Sequence, residues 1–195
     1  MSMRQERTYV MIKPDGVKRG LTGEIIQRIE QRGLKIIALE MFQATHQQID
    51  DHYPKDEAWI TRLGEKTCAT YAKYHMDPVK ELGTDNKLEL GKMVRGWLVG
   101  YMTSAPIVKI VVEGIHVVDM VRKLAGNTMP YLAEMGTMRG DYSVDSAAVA
   151  NREHRAVHNL VHASETTEEA AHEIEHWFAP EQIHAYKRAE EDMQF

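Results

Sequence analysis

The order of apolar runs along the chain limits its fold more than any other feature. Thr8-Tyr9-Val10-Met11-Ile12 is rich in β-formers and closed by Lys13-Pro14-Asp15-Gly16, so it reads as a buried strand ending in a turn. Residues 20–33 follow, with Ile25, Ile26 and Ile29 at helical spacing and Gly33 as the stop. Residues 35–44 read as a second strand and 47–53 as a short helix. The same order returns later. Residues 108–114 form a continuous apolar strand, 116–125 a helix with Val117, Val118, Val121 and Leu124 on one side, and 159–162 a strand. Residues 166–178 read as a helix with Ala170, Ile174 and Trp177 inward, and 180–189 as a last short helix; 126–140 is a loop punctuated by Gly and Pro. This βαβ, α, βαβ, α order predicts an α+β chain. The matching architecture is a ferredoxin-like sandwich, a four-stranded antiparallel sheet with helices packed on one face.

Two stretches exceed that frame. Residues 54–94, rich in Lys, Glu and Gly with Trp59, Tyr71 and Tyr74 spaced as helix anchors, read as a helical insertion. Residues 143–158 read as a second, with 145–155 a short helix and loop. The expectation is one domain over 1–195 carrying both insertions. With 43% hydrophobic and 27% charged residues the chain can bury a core, which excludes a disordered polymer. A net charge of -5 gives no overall pull towards nucleic acid or anionic membrane, so a nucleotide would have to meet a local Lys/Arg cluster. The single cysteine, Cys68, excludes an intrachain disulfide and fits a reducing compartment. The polar start, Met1-Ser2-Met3-Arg4-Gln5-Glu6-Arg7, lacks the apolar stretch of a secretory signal, and no run approaches the ~20 apolar residues of a membrane span. A soluble cytoplasmic protein is expected.

Chemistry concentrates around His162. The run Asn159-Leu160-Val161-His162-Ala163-Ser164-Glu165 ends a buried strand on a histidine, where the ring can be held with one nitrogen towards a cleft, as a nucleophilic imidazole requires. Lys13 closes the first strand and can serve as a point charge for phosphate. Arg122 and Arg139 flank a loop holding Thr128, a set that can bind adjacent phosphate groups. Taken singly, each of these is equally a surface or satisfied core residue. No Gly-x4-Gly-Lys-[Ser/Thr] loop and no protein-kinase signature set occurs. The chief rival is His172-Glu173-Ile174-Glu175-His176, which matches His-Glu-x-x-His and would make Glu173 the base of a zinc hydrolase.

Taken together, the blocks resemble the nucleoside diphosphate kinase family. The resemblance rests on Tyr9-Val10-Met11-Ile12-Lys13-Pro14-Asp15-Gly16-Val17 with Arg19-Gly20, His52-Tyr53, Val112-Glu113-Gly114 with the stretch 122–128, Gly136-Thr137-Met138-Arg139-Gly140-Asp141-Tyr142, and the stretch 159–164. It implies that His162 is the nucleophile taking the γ-phosphoryl group of ATP and handing it to a nucleoside diphosphate in two half-reactions. Glu173 then orients the imidazole, and Ser164 bonds that glutamate. Lys13 and Tyr53 stand beside the transferring group; Arg122, Thr128 and Arg139 bind phosphates; Asn159 shares the ribose 3′-hydroxyl with Lys13. Mg²⁺ would arrive with the nucleotide, within reach of Glu165 through water. The family's aromatic clamp for the base has no clear counterpart: Val94, Trp97 and Leu98 are candidates, Leu98 aligning best. Ala163 replaces a common glycine and Met129 a common asparagine. Family members assemble as hexamers or as tetramers of dimers, often through the loop at 126–140, so a homo-oligomer is implied. A catalytically silent nucleotide-binding scaffold is the alternative within the family.

Overall fold

The computed structural model describes residues 6–189; most of the polar start, 1–5, lies outside them. Its strands are β1 (Glu6–Ile12), β2 (Lys35–Phe42), β3 (Ile107–Gly114) and β4 (Val161–Ala163). They are hydrogen-bonded in the order β2-β3-β1-β4, with every neighbouring pair antiparallel. This is the ferredoxin-like arrangement the run order predicts, with β1 and β3 central. The helices are α1 (Pro14–Lys18), α2 (Thr22–Gln31), α3 (His46–His52), α4 (Glu57–Lys73), α5 (Pro78–Leu82), α6 (Lys87–Met102), α7 (Val117–Ala125), α8 (Met138–Tyr142), α9 (Ala147–Arg152) and α10 (Thr167–Trp177). None among the described residues is long and apolar enough to cross a membrane.

Helices cover both faces of the sheet, not one. Val10, Ile12, Ile110 and Val112 point to one side and pack with Ile25 and Ile29 of α2 and Val117 and Val121 of α7. Tyr9, Met11 and Val111 point to the other and meet Ile49 of α3, Val99 and Met102 of α6, and Ile174 and Trp177 of α10. Alternate residues of a strand face opposite sides, so a strand buried on both must be apolar throughout. That explains the unbroken runs at 8–12 and 108–114. Each such side chain removed from water contributes roughly 1.5–3 kcal/mol.

Several local expectations change. Lys13-Pro14-Asp15-Gly16 is not a turn: Lys13 is the N-cap of α1 and Pro14 starts it, a position where proline's fixed φ and missing N–H do no harm. The stretch 126–140 is not all loop, since a 3-10 turn (Pro130–Leu132) and the start of α8 interrupt it; Thr137 caps α8 by accepting from the Gly140 N–H. Of 180–189 only Pro180–Gln182 is helical, as a 3-10 turn. The chain beyond it lies along the edge strand β2, where the His184 N–H donates to the Ile37 carbonyl (2.8 Å) and the Tyr186 hydroxyl to that of Ile36 (2.7 Å).

Residues 54–94 contain α4, α5 and the start of α6. Asp56, Asp77 and Asn86 cap the three helices with side-chain oxygens. The backbones of α4 and α6 touch at two glycines. A Cβ on Gly64 would lie 1.7 Å from the Lys87 carbonyl oxygen, and one on Gly91 1.9 Å from that of Ile60. Tyr71 is fully buried, but Tyr74 is exposed and anchors no core.

Candidate active site

β1 and β4 run antiparallel, so the end of one lies beside the start of the other. His162 pairs with Met11, and Val161 with Ile12, which brings Lys13 next to Asn159. β4 starts at Val161, later than expected, because the chain turns sharply first. The Val161 N–H donates to the Asn159 carbonyl (2.7 Å) around Leu160, a fully buried leucine with φ of 68°. Such a backbone is strained for a branched side chain and persists only where neighbours hold it. Here Asp15 Oδ2 accepts from the Leu160 N–H (3.1 Å), and the Lys13 N–H donates to the Leu160 carbonyl (2.8 Å). The Tyr101 hydroxyl donates to the other Asp15 oxygen.

Arg139 fixes the same turn. Buried on α8, it donates to three carbonyls: Asn159 (3.1 Å), Val161 (2.7 Å) and Gly126 (2.7 Å). Burial, then the neighbouring Arg122 charge, lowers its guanidinium to about 10. Lys13 is equally buried and donates from Nζ to Asn159 Oδ1 (2.7 Å). Burial and Arg139 push its ammonium down to about 8, with Asp15 pulling the other way. The Asn159 amide donates to the Thr128 carbonyl (2.9 Å), so Lys13, Asn159 and the loop form one chain of contacts.

His162 faces the α3–α10 side. Glu173 of α10, 4% exposed, places Oε1 2.7 Å from His162 Nε2. The oxygen is close but off the N–H direction; Nε2 is buried with no aligned hydrogen bond, and the pair is an electrostatic contact. Ser164 donates to Glu173 Oε2 (2.7 Å). His52 stands edge-on to His162, ring centroids 5.1 Å apart, and its Nδ1 lies 3.6 Å from Glu173 Oε1 while accepting from the Trp177 indole N–H (3.3 Å). Burial first, then His162, holds the His52 imidazole well below its usual pKa, so it is neutral. Burial, with Glu173 behind it, raises the Tyr53 phenol.

A cleft of ≈ 520 Å³ opens over this group. Its walls include Tyr53, Arg122, Thr128, Arg139, His162, Glu165 and Glu173, together with His52 and Glu169, which had no expected role, and Trp59, expected as a helix anchor. Lys13, Asn159 and Ser164 lie behind the walls. Arg122 is turned to Glu165, donating to its carbonyl (2.9 Å) with Oε1 at 3.4 Å. Val94 and Leu98 are half-buried on α6 and do not line the cleft. The aromatic at that edge is Trp59, on the first turn of α4, stacked on Tyr53 with centroids 6.1 Å apart. The Asp56 cap was the available signal: it starts a helix just after Tyr53. The zinc reading fails on geometry, since His172 is exposed and His176 Nε2 lies at the Gln48 carbonyl (3.1 Å). A larger groove of ≈ 590 Å³ along β2 has no lysine or arginine in its walls among the described residues.

An imidazole backed by a carboxylate, facing cations across a cleft, defines a phosphate-handling site on a ferredoxin-like sheet. The comparisons agree. The sequence model for nucleoside diphosphate kinase matches residues 6–60 and 88–183. The nucleoside diphosphate kinase of Pyrobaculum aerophilum is 47% identical over 181 residues, covering 93% of this chain and 99% of that one. That of Pyrococcus furiosus is 40% identical over 185 residues, 94% and 89% of the two chains. The crystal structure of an NDP kinase from Pyrobaculum aerophilum superposes with a TM-score of 0.89 at 45% identity, covering 92% and 98%. A transition-state mimic of the nucleoside-diphosphate kinase from Borrelia burgdorferi, with bound vanadate and ADP, gives 0.79 at 32% identity, covering 98% of each chain. The chain belongs to the nucleoside diphosphate kinase family and is a nucleotide phosphotransferase.

Proposed function

We propose that this enzyme moves the γ-phosphoryl group of ATP to a nucleoside diphosphate through a phosphohistidine on His162, in a ping-pong cycle that maintains NTP and dNTP pools. The observation carrying this reading is the orientation of His162. Its Nε2 is committed to Glu173, which leaves Nδ1 for the cleft where Arg122, Thr128 and Arg139 converge. A neutral imidazole with its proton on Nε2 has its lone pair on Nδ1. Attack on phosphorus builds positive charge on the ring, which Glu173, fixed by Ser164, stabilises. The phosphoryl group carries charge on its equatorial oxygens, and Arg122, Arg139 and Lys13 offset it. Nucleotide entry redirects Arg122 from Glu165. Asn159 and Lys13 hold the ribose 3′-hydroxyl, and Tyr53 stands beside the transferring group.

Trp59, stacked on Tyr53, replaces Val94 and Leu98 as the base platform. Stacking accepts any base, so base selectivity is weak. Mg²⁺ fits the rim, where Glu165 and Glu169 offer the hard oxygen donors it takes. Bound with the nucleotide phosphates, it supplies charge neutralisation. The protein acts in the cytoplasm as a homo-oligomer, a hexamer or a tetramer of dimers, of single-domain chains with insertions at 54–94 and 143–158. The vanadate and ADP held by the Borrelia burgdorferi relative support the phosphoryl-transfer reading. The test is incubation with γ-labelled ATP. An acid-labile, base-stable label, removed by a nucleoside diphosphate and missing from His162→Ala, is expected; full transfer by that variant would sink the proposal.

A further inference from the structure

His52 stands against both His162 and Glu173, and the transfer reaction proposed above gives it no role. It brings a second donor set together. One ligand atom each of His52, His162 and Glu173 lies within 4.8 Å of the others. Glu173 Oε1 is the hub, 2.7 Å from His162 Nε2 and 3.6 Å from His52 Nδ1. Ligands bound tetrahedrally at ~2.0–2.2 Å from zinc are themselves about 3.3–3.6 Å apart, so the 3.6 Å separation already suits an ion, the 2.7 Å contact must open, and the donors, all within 4.8 Å, need only small shifts. Two imidazoles and one carboxylate, with a fourth position open, are also the donor set of catalytic zinc sites. Imidazole nitrogen favours zinc and its neighbours over magnesium.

The surroundings are those of a prepared site. Ser164 holds Glu173 by Oε2, leaving Oε1 free to coordinate, which is how a supporting hydrogen bond orients a metal ligand. The buried His162 Nε2 has no aligned partner. His52 Nδ1 accepts a hydrogen bond from Trp177, so it carries a lone pair and no proton. That contact is long, 3.3 Å; an ion must displace it and open the 2.7 Å contact between His162 Nε2 and Glu173 Oε1. His52, His162 and Glu173 all line the cleft, which gives an ion, and water as its fourth ligand, a way in.

We propose that His52, His162 and Glu173 form an inhibitory site for a borderline transition-metal ion of the Zn²⁺ class. A neutral imidazole carries one proton. When the ion takes the Nε2 lone pair of His162, that proton moves to Nδ1, and the lone pair needed to attack phosphorus is gone. No redox change and no net proton loss is involved. Binding stands on geometry alone; its blocking effect rests on the transfer reaction proposed above.

The experiment uses the full chain with Zn²⁺ in equilibrium dialysis and Co²⁺ as a visible-spectrum probe, both in excess Mg²⁺. One ion per chain and the d–d band of four-coordinate Co²⁺ are expected. His52→Ala weakens binding by at least about tenfold, and the exposed His172→Ala leaves it unchanged. Trp177→Phe removes the competing N–H and tightens binding, an opposite sign that damage to the fold would not produce. Labelling of His162 by γ-labelled ATP falls in proportion to zinc occupancy. Retention no better than in His52→Ala, or loss of the ion from His172→Ala, overturns the site. Full occupancy with undiminished labelling overturns the block. A metal-free chain that never labels overturns the transfer reaction and leaves the metal site standing.

Discussion

The β1–β4 junction and the α4–α6 hairpin are held together by opposite means. At the junction, buried charged and polar side chains from remote segments lock one another: Lys13 and Asn159 are 146 residues apart and share a 2.7 Å bond. In the hairpin, two neighbouring helices close on themselves through capped ends and a glycine contact. The two regions meet at residues 50–54. Arg95 of α6 reaches Asp50 Oδ1 (2.6 Å) and the carbonyls of Asp50 (2.9 Å), Tyr53 (3.4 Å) and Pro54 (3.2 Å). Chemistry is concentrated where folding is costly, and the locally stable hairpin supplies a wall and a clamp.

Lys13 tests that contrast most severely. Lys13→Met should cut transfer by about 10²–10³-fold, the loss typical of a group that stabilises transition-state charge. It should also make the empty protein more stable at neutral pH by roughly 1–3 kcal/mol, because an ammonium held at about 8 instead of 10.5 is charged against its surroundings. The sign follows from proton binding. Between pH 8 and 10.5 the unfolded chain binds more protons at Lys13 than the folded chain, so wild-type stability gains as pH rises through that window. The advantage of Lys13→Met should shrink over the same range. Denaturant titrations near neutrality and at high pH check this; a variant less stable than wild type at pH 7 would contradict it.

Much of the junction was legible through the family resemblance and little of it from single residue types. Lys13, Arg139, Asn159 and Ser164 lie in the blocks that carry the resemblance and Glu173 in the His-Glu-x-x-His run, and the fold brings all five together around the start of β4. The strands were legible too, as unbroken apolar runs, but the cover on both faces that such runs imply was not drawn from them. What stayed hidden depends on backbone geometry. Nothing marks Leu160 as a residue of positive φ, because that conformation comes from Asp15 and Lys13, far off in sequence. Trp59 was read as a helix anchor because aromatic spacing cannot tell a helix's packed side from its cleft side. Val94 and Leu98 were aligned by linear order, and the hairpin breaks that order by carrying its aromatic at the start of α4.

Gly64→Ala should separate the two regions next. The new methyl meets the Lys87 carbonyl at 1.7 Å, and that carbonyl is backbone, so the helices must part. A loss of about 2–4 kcal/mol is expected. Amide exchange should accelerate in α4 and α6 and stay slow in β1 and β3; uniform acceleration would mean that the hairpin and sheet unfold as one unit.

Arg95→Ala removes a charged donor to three carbonyls at the C-terminal end of α3 and should cost about 1.5–3 kcal/mol. Its functional mark is a raised KM for nucleotide, because the Tyr53–Trp59 stack that walls the cleft loses its support while His162 and Glu173 keep theirs. An equal fall in kcat at unchanged KM would place the effect at the junction instead.

Trp59→Ala should have the smallest effect and discriminate most finely. Losing one stacking face weakens nucleotide binding by about 1–2 kcal/mol, a KM rise of roughly 5–30-fold. The rise should be similar for ATP, GTP and CTP, since an indole face reads no hydrogen-bonding edge. The rate of His162 labelling at saturating ATP should be untouched, because the His162–Glu173 pair is held by Ser164 and not by the Trp59 stack. Val94→Ala and Leu98→Ala, off the cleft, should leave KM where it was. If Leu98→Ala raised KM and Trp59→Ala did not, the base would lie against α6 and linear order would have placed it correctly.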